Sequence, residues 1–115
     1  MIVTAIALFL IAALLGIYMA LRIFGGGIPP WVAVILHGVF AASGLLVLLY
    51  ALFTGTQSTA VTIAAVLLVI AALGGFFMFS YQLRKLPPPK AVVVIHALAA
   101  VVGVLALLGN VMGMV

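Results

Sequence analysis

Residues 29–48 read PPWVAVILHGVFAASGLLVL, and residues 88–107 read PPKAVVVIHALAAVVGVLAL. Each stretch begins with two prolines, continues through a long apolar run, and carries a histidine seven residues after its second proline. Proline can begin a helix but cannot continue one, and apolar runs of about 20 residues are typical of membrane-crossing helices. The two stretches therefore predict two transmembrane helices, each with one ionisable side chain inside it.

The rest of the chain has the same character. Of its 115 residues 70% are hydrophobic and only 3% are charged, whereas a soluble domain carries about 25% charged residues. Two further apolar runs complete an all-α, integral membrane four-helix bundle with up-down topology, in one domain that covers residues 1–115. The predicted spans are residues 2–24, 31–53, 59–81 and 91–114, separated by a Gly/Pro loop, a short polar turn and a charged, Pro-rich loop.

The composition also excludes most chemistry. The chain has no Asp, no Glu and no Cys, so it has no carboxylate pair for acid–base catalysis, no carboxylate or thiolate metal site and no disulfide. Four basic side chains are too few for a nucleic-acid surface. We therefore expect no nucleic-acid partner, and membrane lipid as the surroundings of most of the surface.

The basic residues predict an orientation. Neither the second loop nor the termini carry a charged side chain. All four basic residues lie in or beside the first and third loops: Arg22, Arg84, Lys85 and Lys90. The positive-inside rule then places these two loops in the cytoplasm and both termini outside. No organellar presequence is recognisable, and the compact arrangement of spans favours a bacterial inner membrane.

The two halves of the chain resemble each other at a constant offset of 59 residues. At this offset His37 aligns with His96, and the prolines and glycines align without a gap: Pro29 with Pro88, Pro30 with Pro89, Gly16 with Gly75, and Gly44 with Gly103. The pattern predicts two tandem two-helix repeats, related by a pseudo-two-fold axis along the membrane normal. The second and fourth helices then face each other across that axis.

His37 and His96 are the strongest candidate site residues, because an ionisable side chain inside a membrane span is costly and indicates function. Facing helices of a bundle can supply two axial ligands from inside the core, so the pair predicts a bis-histidine haem b. The second ring nitrogens would then need acceptors, expected to be backbone carbonyls one turn earlier or a water. The alternative is a pair of neutral histidines that hydrogen-bond to carbonyls of neighbouring helices.

Four glycines and one arginine complete the predicted site. Gly16 and Gly75 lie near the depth of the histidines, and Gly44 and Gly103 lie seven residues beyond each histidine on the same face. We expect all four to leave room for a flat macrocycle, although small residues also serve ordinary helix packing. Arg22 is the best candidate to neutralise a haem propionate, and lipid anchoring is its alternative role.

With these residues in place, the sequence resembles the small four-helix membrane cytochromes of the b561-like type. The resemblance covers the whole chain in architecture and rests on His37, His96 and the glycines. It implies a b-type haem and electron transfer within a membrane. The b561-like proteins usually carry two histidine pairs for two haems, and this chain has residues for one.

Three functions remain open at this point. The first is an electron-transfer subunit, more than a stand-alone enzyme, whose single haem near the cytoplasmic side exchanges electrons with quinone or with a partner subunit, inside a larger complex or a homo-oligomer. The second is a structural or pigment-binding subunit of a larger membrane complex, in which pigments would occupy separate outward faces. The third and least favoured is a small transporter with titrating histidines.

Overall fold

The protein is an all-helical four-helix bundle, described here by a computed structural model that covers residues 1–115. Its helices are α1 (Ile2–Phe24), α2 (Trp31–Phe53), α3 (Thr59–Leu83) and α4 (Lys90–Val111). The bundle measures 42 × 20 × 19 Å, and each helix is long and apolar enough to cross a membrane. At 1.5 Å per residue a helix of this size is about 34 Å long, which is compatible with a multi-pass membrane protein.

The helix starts follow from local chemistry. Pro30 and Pro89 cap the N-termini of α2 and α4, and their fixed φ suits a helix start. Ser58 caps α3, and its Oγ accepts a hydrogen bond from the backbone N–H of Val61 at 3.3 Å.

Three helix bounds differ from the sequence-based expectation: the end of α3, the start of α4 (expected at residue 91) and the end of α4. α3 continues to Leu83 instead of ending at residue 81, because Gln82 is buried and its Nε2 donates to the carbonyl oxygen of Pro29 at 2.9 Å. α4 begins at Lys90, directly after its proline cap, and ends at Val111 instead of residue 114. A turn with Gly113 at a φ of 75° ends it.

The turns after α1 and α3 share one geometry. The N–H of Gly27 donates to the carbonyl of Arg22, and the N–H of Leu86 donates to the carbonyl of Tyr81, both at 2.9 Å. Both turns need a left-handed residue, which is Gly26 at a φ of 90° in the first and Lys85 at a φ of 59° in the second. Glycine adopts this conformation freely, whereas a residue with a Cβ is strained there by roughly 1 kcal/mol.

The bundle consists of two hairpins. α1 packs along α2 and α3 packs along α4, while fewer contacts between α1 and α4 and between α2 and α3 join the two pairs. α2 and α4 therefore lie on a diagonal of the bundle.

The tight core lies at one end of this bundle. We call the end that carries loops 25–30 and 84–89 the basic end, and the opposite one the far end. The nine core residues all belong to the far-end halves of the helices: Ala5, Ile6, Phe9, Leu48, Val61, Ala64, Ala65, Leu68 and Leu107. In the basic-end half, burial is mixed. Ile23, Ala33, Val34, Gln82 and Val93 are buried. The histidines and several residues near their depth are half-buried: Gly16, Met19, His37, Gly75, Met78 and His96.

Candidate functional site

His37 and His96 meet between the two hairpins. Their ring centroids are 6.1 Å apart, and the ring planes are inclined by 63°. His37 belongs to α2 and His96 to α4, the two helices on the diagonal. The two histidines are therefore neighbours, on helices from different hairpins.

Each histidine is held by one backbone hydrogen bond. His37 Nδ1 lies 2.7 Å from the carbonyl oxygen of Ala12, and His96 Nδ1 lies 2.6 Å from the carbonyl oxygen of Ala71. A carbonyl oxygen can only accept, so Nδ1 carries the proton and donates it. In the neutral imidazole the other nitrogen, Nε2, then has a free lone pair.

The acceptors are not where we expected them. They belong to α1 and α3, the preceding helix of each hairpin, and not to the turn before each histidine. Each acceptor lies 25 residues before its histidine, so the two bonds span the same length of chain. Nε2 of each ring has no hydrogen-bond partner within the chain, and neither atom is sealed inside it. Both rings thus have one nitrogen fixed and one nitrogen free.

Glycines explain how the rings reach these carbonyls. Gly16 follows Ala12 by four residues, so it lies one helical turn further along the same face. A Cβ added at Gly16 would lie 3.1 Å from Cε1 and 3.4 Å from Nδ1 of His37. At Gly75 the same distances to His96 are 3.5 and 3.9 Å. The imidazole of His37 therefore rests directly on the bare backbone of α1, while His96 has slightly more room on α3.

Gly44 and Gly103 have different neighbours. A Cβ at Gly44 would lie 2.9 Å from Cε1 of Phe9, and a Cβ at Gly103 would lie 2.9 Å from Cγ of Leu68. In this structure both glycines receive a core side chain from the neighbouring helix. A macrocycle edge would reach them only if these side chains moved, so their role at a cofactor stays a prediction.

Arg22 lies at the basic end, outside the bundle interior. Its Nη2 donates to the carbonyl oxygen of Ile28 in the first loop at 3.4 Å, and its side chain is exposed. It has no bond to either histidine. Its contact with a haem propionate stays a prediction, and it does not depend on which residues ligate the metal.

The donor set limits what can bind. No group of three or more His, Cys, Asp or Glu side chains comes together in the chain, so a closed zinc or calcium site has no ligands here. Two imidazoles with free Nε2 atoms suit a metal whose other ligands come from a cofactor, as in haem.

No protein family, curated protein or solved structure matches the chain. The resemblance to b561-like cytochromes therefore stays a prediction that rests on the residues described above.

Sequence reasoning found the two histidines but missed their acceptors. A backbone carbonyl has no residue type of its own, so Ala12 and Ala71 carry no signal in the sequence. The nearest signal is the glycine that follows each of them by four residues, and many helices contain such glycines.

Proposed function

We propose that the protein is a membrane b-type cytochrome, or the haem-bearing subunit of a larger redox complex. In this proposal His37 and His96 hold one haem b and the protein passes electrons through it. The single observation that carries the proposal is the meeting of two half-buried imidazoles, each with Nδ1 bonded to a carbonyl and Nε2 free.

The spacing of the rings fits this group. A metal–imidazole bond is about 2 Å long, so two ligands on opposite sides of one metal have their nitrogens about 4 Å apart. The ring centroids lie further out on each side, which is compatible with the observed 6.1 Å. Both imidazoles are themselves half-buried, so each keeps some accessible surface for a ligand.

Two backbone carbonyls of the protein set the protonation and the orientation of the two histidine ligands. Each carbonyl bond keeps the proton on Nδ1, fixes the plane of the ring and raises the basicity of Nε2. The surrounding helices contribute no carboxylate, because the chain has no Asp or Glu. The haem, when bound, supplies the one-electron chemistry.

The two equivalent hydrogen bonds support the tandem repeat. Ala12 and Ala71 are 59 residues apart, as are His37 and His96, so each hairpin uses the same pair of positions. We infer that the hairpins are related by a pseudo-two-fold axis that passes between the two rings.

The membrane setting follows from the four apolar helices and the distribution of charge. We propose a bacterial inner membrane with the basic end in the cytoplasm and both termini outside. Arg22 would then neutralise a propionate at the cytoplasmic surface. A haem near one surface needs an electron partner, and we propose quinone in the bilayer or a partner subunit.

The main alternative is a structural subunit in which the histidines only bond across helices. The same carbonyl bonds would serve that role. Two pigments on separate outward faces are disfavoured, because the centroids of the two imidazole rings are only 6.1 Å apart.

Haem content separates these functions. We expect the purified protein to bind one haem b per chain when it is measured as its pyridine complex. His37→Ala and His96→Ala should each lower that content. Leu36→Ala and Ile95→Ala are matched controls, because each alters an exposed apolar neighbour of one histidine. Wild type without haem, or equal loss in the controls, would refute the proposal.

A further inference from the structure

A groove opens on the outer surface between α3 and α4. It has a volume of about 280 Å³, and its walls include Ile70, Gly74 and Phe77 from α3 and Ile95, His96 and Ala99 from α4. No polar atom of the chain is exposed in it. A ligand in this groove would therefore contact only apolar surface.

Gly74 makes the groove possible. A Cβ added at this position would lie 3.6 Å from Cβ and 3.7 Å from Nδ1 of His96, which is ordinary van der Waals contact. At the position 59 residues earlier, α1 carries Leu15. The second hairpin thus lacks a side chain where the first hairpin has a leucine.

Beyond the groove, toward the basic end, α3 is followed by the positively charged Arg84. The ring of Phe77 lies 5.4 Å from the ring of Tyr81, and the guanidinium carbon of Arg84 lies 4.3 Å above that second ring. The Nε of Arg84 donates to the carbonyl oxygen of Ser80 at 3.2 Å, which helps to hold the side chain there. Since the chain has no Asp or Glu, no acidic side chain neutralises this arginine.

The groove and the arginine together have the dimensions of one leaflet. The groove follows α3 from Ile70 to Phe77, a rise of about 10 Å. Extended to Tyr81, under Arg84, the rise is about 16 Å, and half of the hydrocarbon core of a bilayer is about 15 Å thick. An apolar groove that holds part of an acyl chain, with a cation further along the same helix toward the basic end, matches a lipid chain below an anionic headgroup.

We propose that the α3–α4 groove binds one anionic phospholipid, with an acyl chain against Gly74 and the phosphate near Arg84. A quinone is a poorer fit, because the groove offers no polar atom to its carbonyl oxygens and its ring carries no charge for Arg84. The inference rests on the membrane location of the helices under the proposed function, and it is independent of haem.

Native mass spectrometry can test the site. The purified protein is equilibrated in mild detergent with equal amounts of phosphatidylglycerol and phosphatidylcholine, and the mass reports which lipid each chain retains. We expect one phosphatidylglycerol per chain, with a preference of about five-fold from a single basic contact near the surface.

Two pairs of variants locate the lipid. Gly74→Leu should abolish retention because the leucine fills the groove, whereas Gly38→Leu should not, since a Cβ there meets nothing within 4 Å. Arg84→Gln should remove the preference for the anionic lipid. Lys85→Gln removes the same charge from a neighbouring loop residue outside this stack, and should keep the preference.

Several results would overturn the proposal. They are no retained lipid in wild type, equal retention of both lipids in wild type, unchanged retention in Gly74→Leu, and an unchanged preference in Arg84→Gln. A stoichiometric quinone in place of phospholipid would also overturn it. If Gly74→Leu does not fold, Arg84→Gln still decides, because its side chain is outside the bundle. Lipid mass is read whether or not haem is present, so the result stands apart from the haem proposal.

Discussion

Gly16 and Gly75 hold equivalent positions in the two hairpins but differ in how closely they approach a histidine. The Cβ site of Gly16 is 3.1 Å from His37, while that of Gly75 is 3.5 Å from His96. A contact of 3.1 Å requires a neighbour to shift, and the neighbour here is an imidazole already held by a hydrogen bond. Alanine substitutions at the two positions therefore form a matched pair that tests how closely each glycine packs on its histidine ring.

We expect Gly16→Ala to weaken haem binding by about ten-fold, because displacing His37 disturbs the bond that orients the ligand. Gly75→Ala should leave binding within about two-fold of wild type, since its methyl group makes an ordinary contact. Haem titration followed by absorbance measures both affinities. Equal effects of the two substitutions would show that the glycines do not act through the rings.

The histidines could be predicted from the sequence because they are rare, ionisable and repeated at one offset. Their orientation could not, since it depends on which backbone carbonyl each ring reaches. Gly44 and Gly103 show the limit of the same reasoning. Their register with the histidines is visible in the sequence, but the Phe9 and Leu68 side chains that pack on them come from other helices.

At the scale of helices and turns, one residue of the turn after α3 has a strained, left-handed backbone conformation. Lys85 has a φ of 59°, whereas the matching turn after α1 uses Gly26. Prolines and polar turns predicted the helix starts well, because these signals are local. The two extra residues of α3 were missed, because Gln82 looks like a loop residue until its contact with Pro29 is known.

We expect Lys85→Gly to raise the free energy of unfolding by roughly 1 kcal/mol, because glycine relieves the left-handed strain. Unfolding by denaturing detergent in mixed micelles provides the measurement. Lys85→Ala is the control, since it removes the same charge and keeps the strain. An equal gain in both variants would assign the effect to charge.

Gln82 joins α3 to the first loop across the two hairpins. Gln82→Met keeps the length of the side chain, leaves the Pro29 carbonyl without its donor, and should lower the free energy of unfolding by about 1 kcal/mol. The same assay applies, with the exposed Gln57→Met as the control. No difference between the two variants would contradict a stabilising role for this bond.

At the scale of the whole molecule, packing is uneven along the bundle. The nine-residue core lies at the far end, and the two histidines are half-buried. Ala33, Val34 and Val93, one turn closer to the basic end, are buried again. The four-helix arrangement could be predicted, because the lengths of the apolar runs and the positions of the loops determine it. The half-burial of the histidines could not, because it depends on how the two hairpins pack against each other.

We expect haem binding to slow backbone hydrogen exchange mainly around the two histidines, because ligation would hold the two hairpins together there. Residues around Ala12, His37, Ala71 and His96 should gain protection, and those around Leu48 and Leu107 should change little. Hydrogen–deuterium exchange with and without haem measures this. Uniform protection along all four helices would contradict a site confined to one end.

The central claim is that His37 and His96 ligate one haem b, and a reduced-minus-oxidised visible spectrum of the purified protein tests it most directly. The account predicts sharp low-spin b-type bands in wild type, which are lost or become high-spin in both His37→Ala and His96→Ala. A colourless wild type, purified from a host with haem available, would contradict it and leave the two histidines as helix-packing residues.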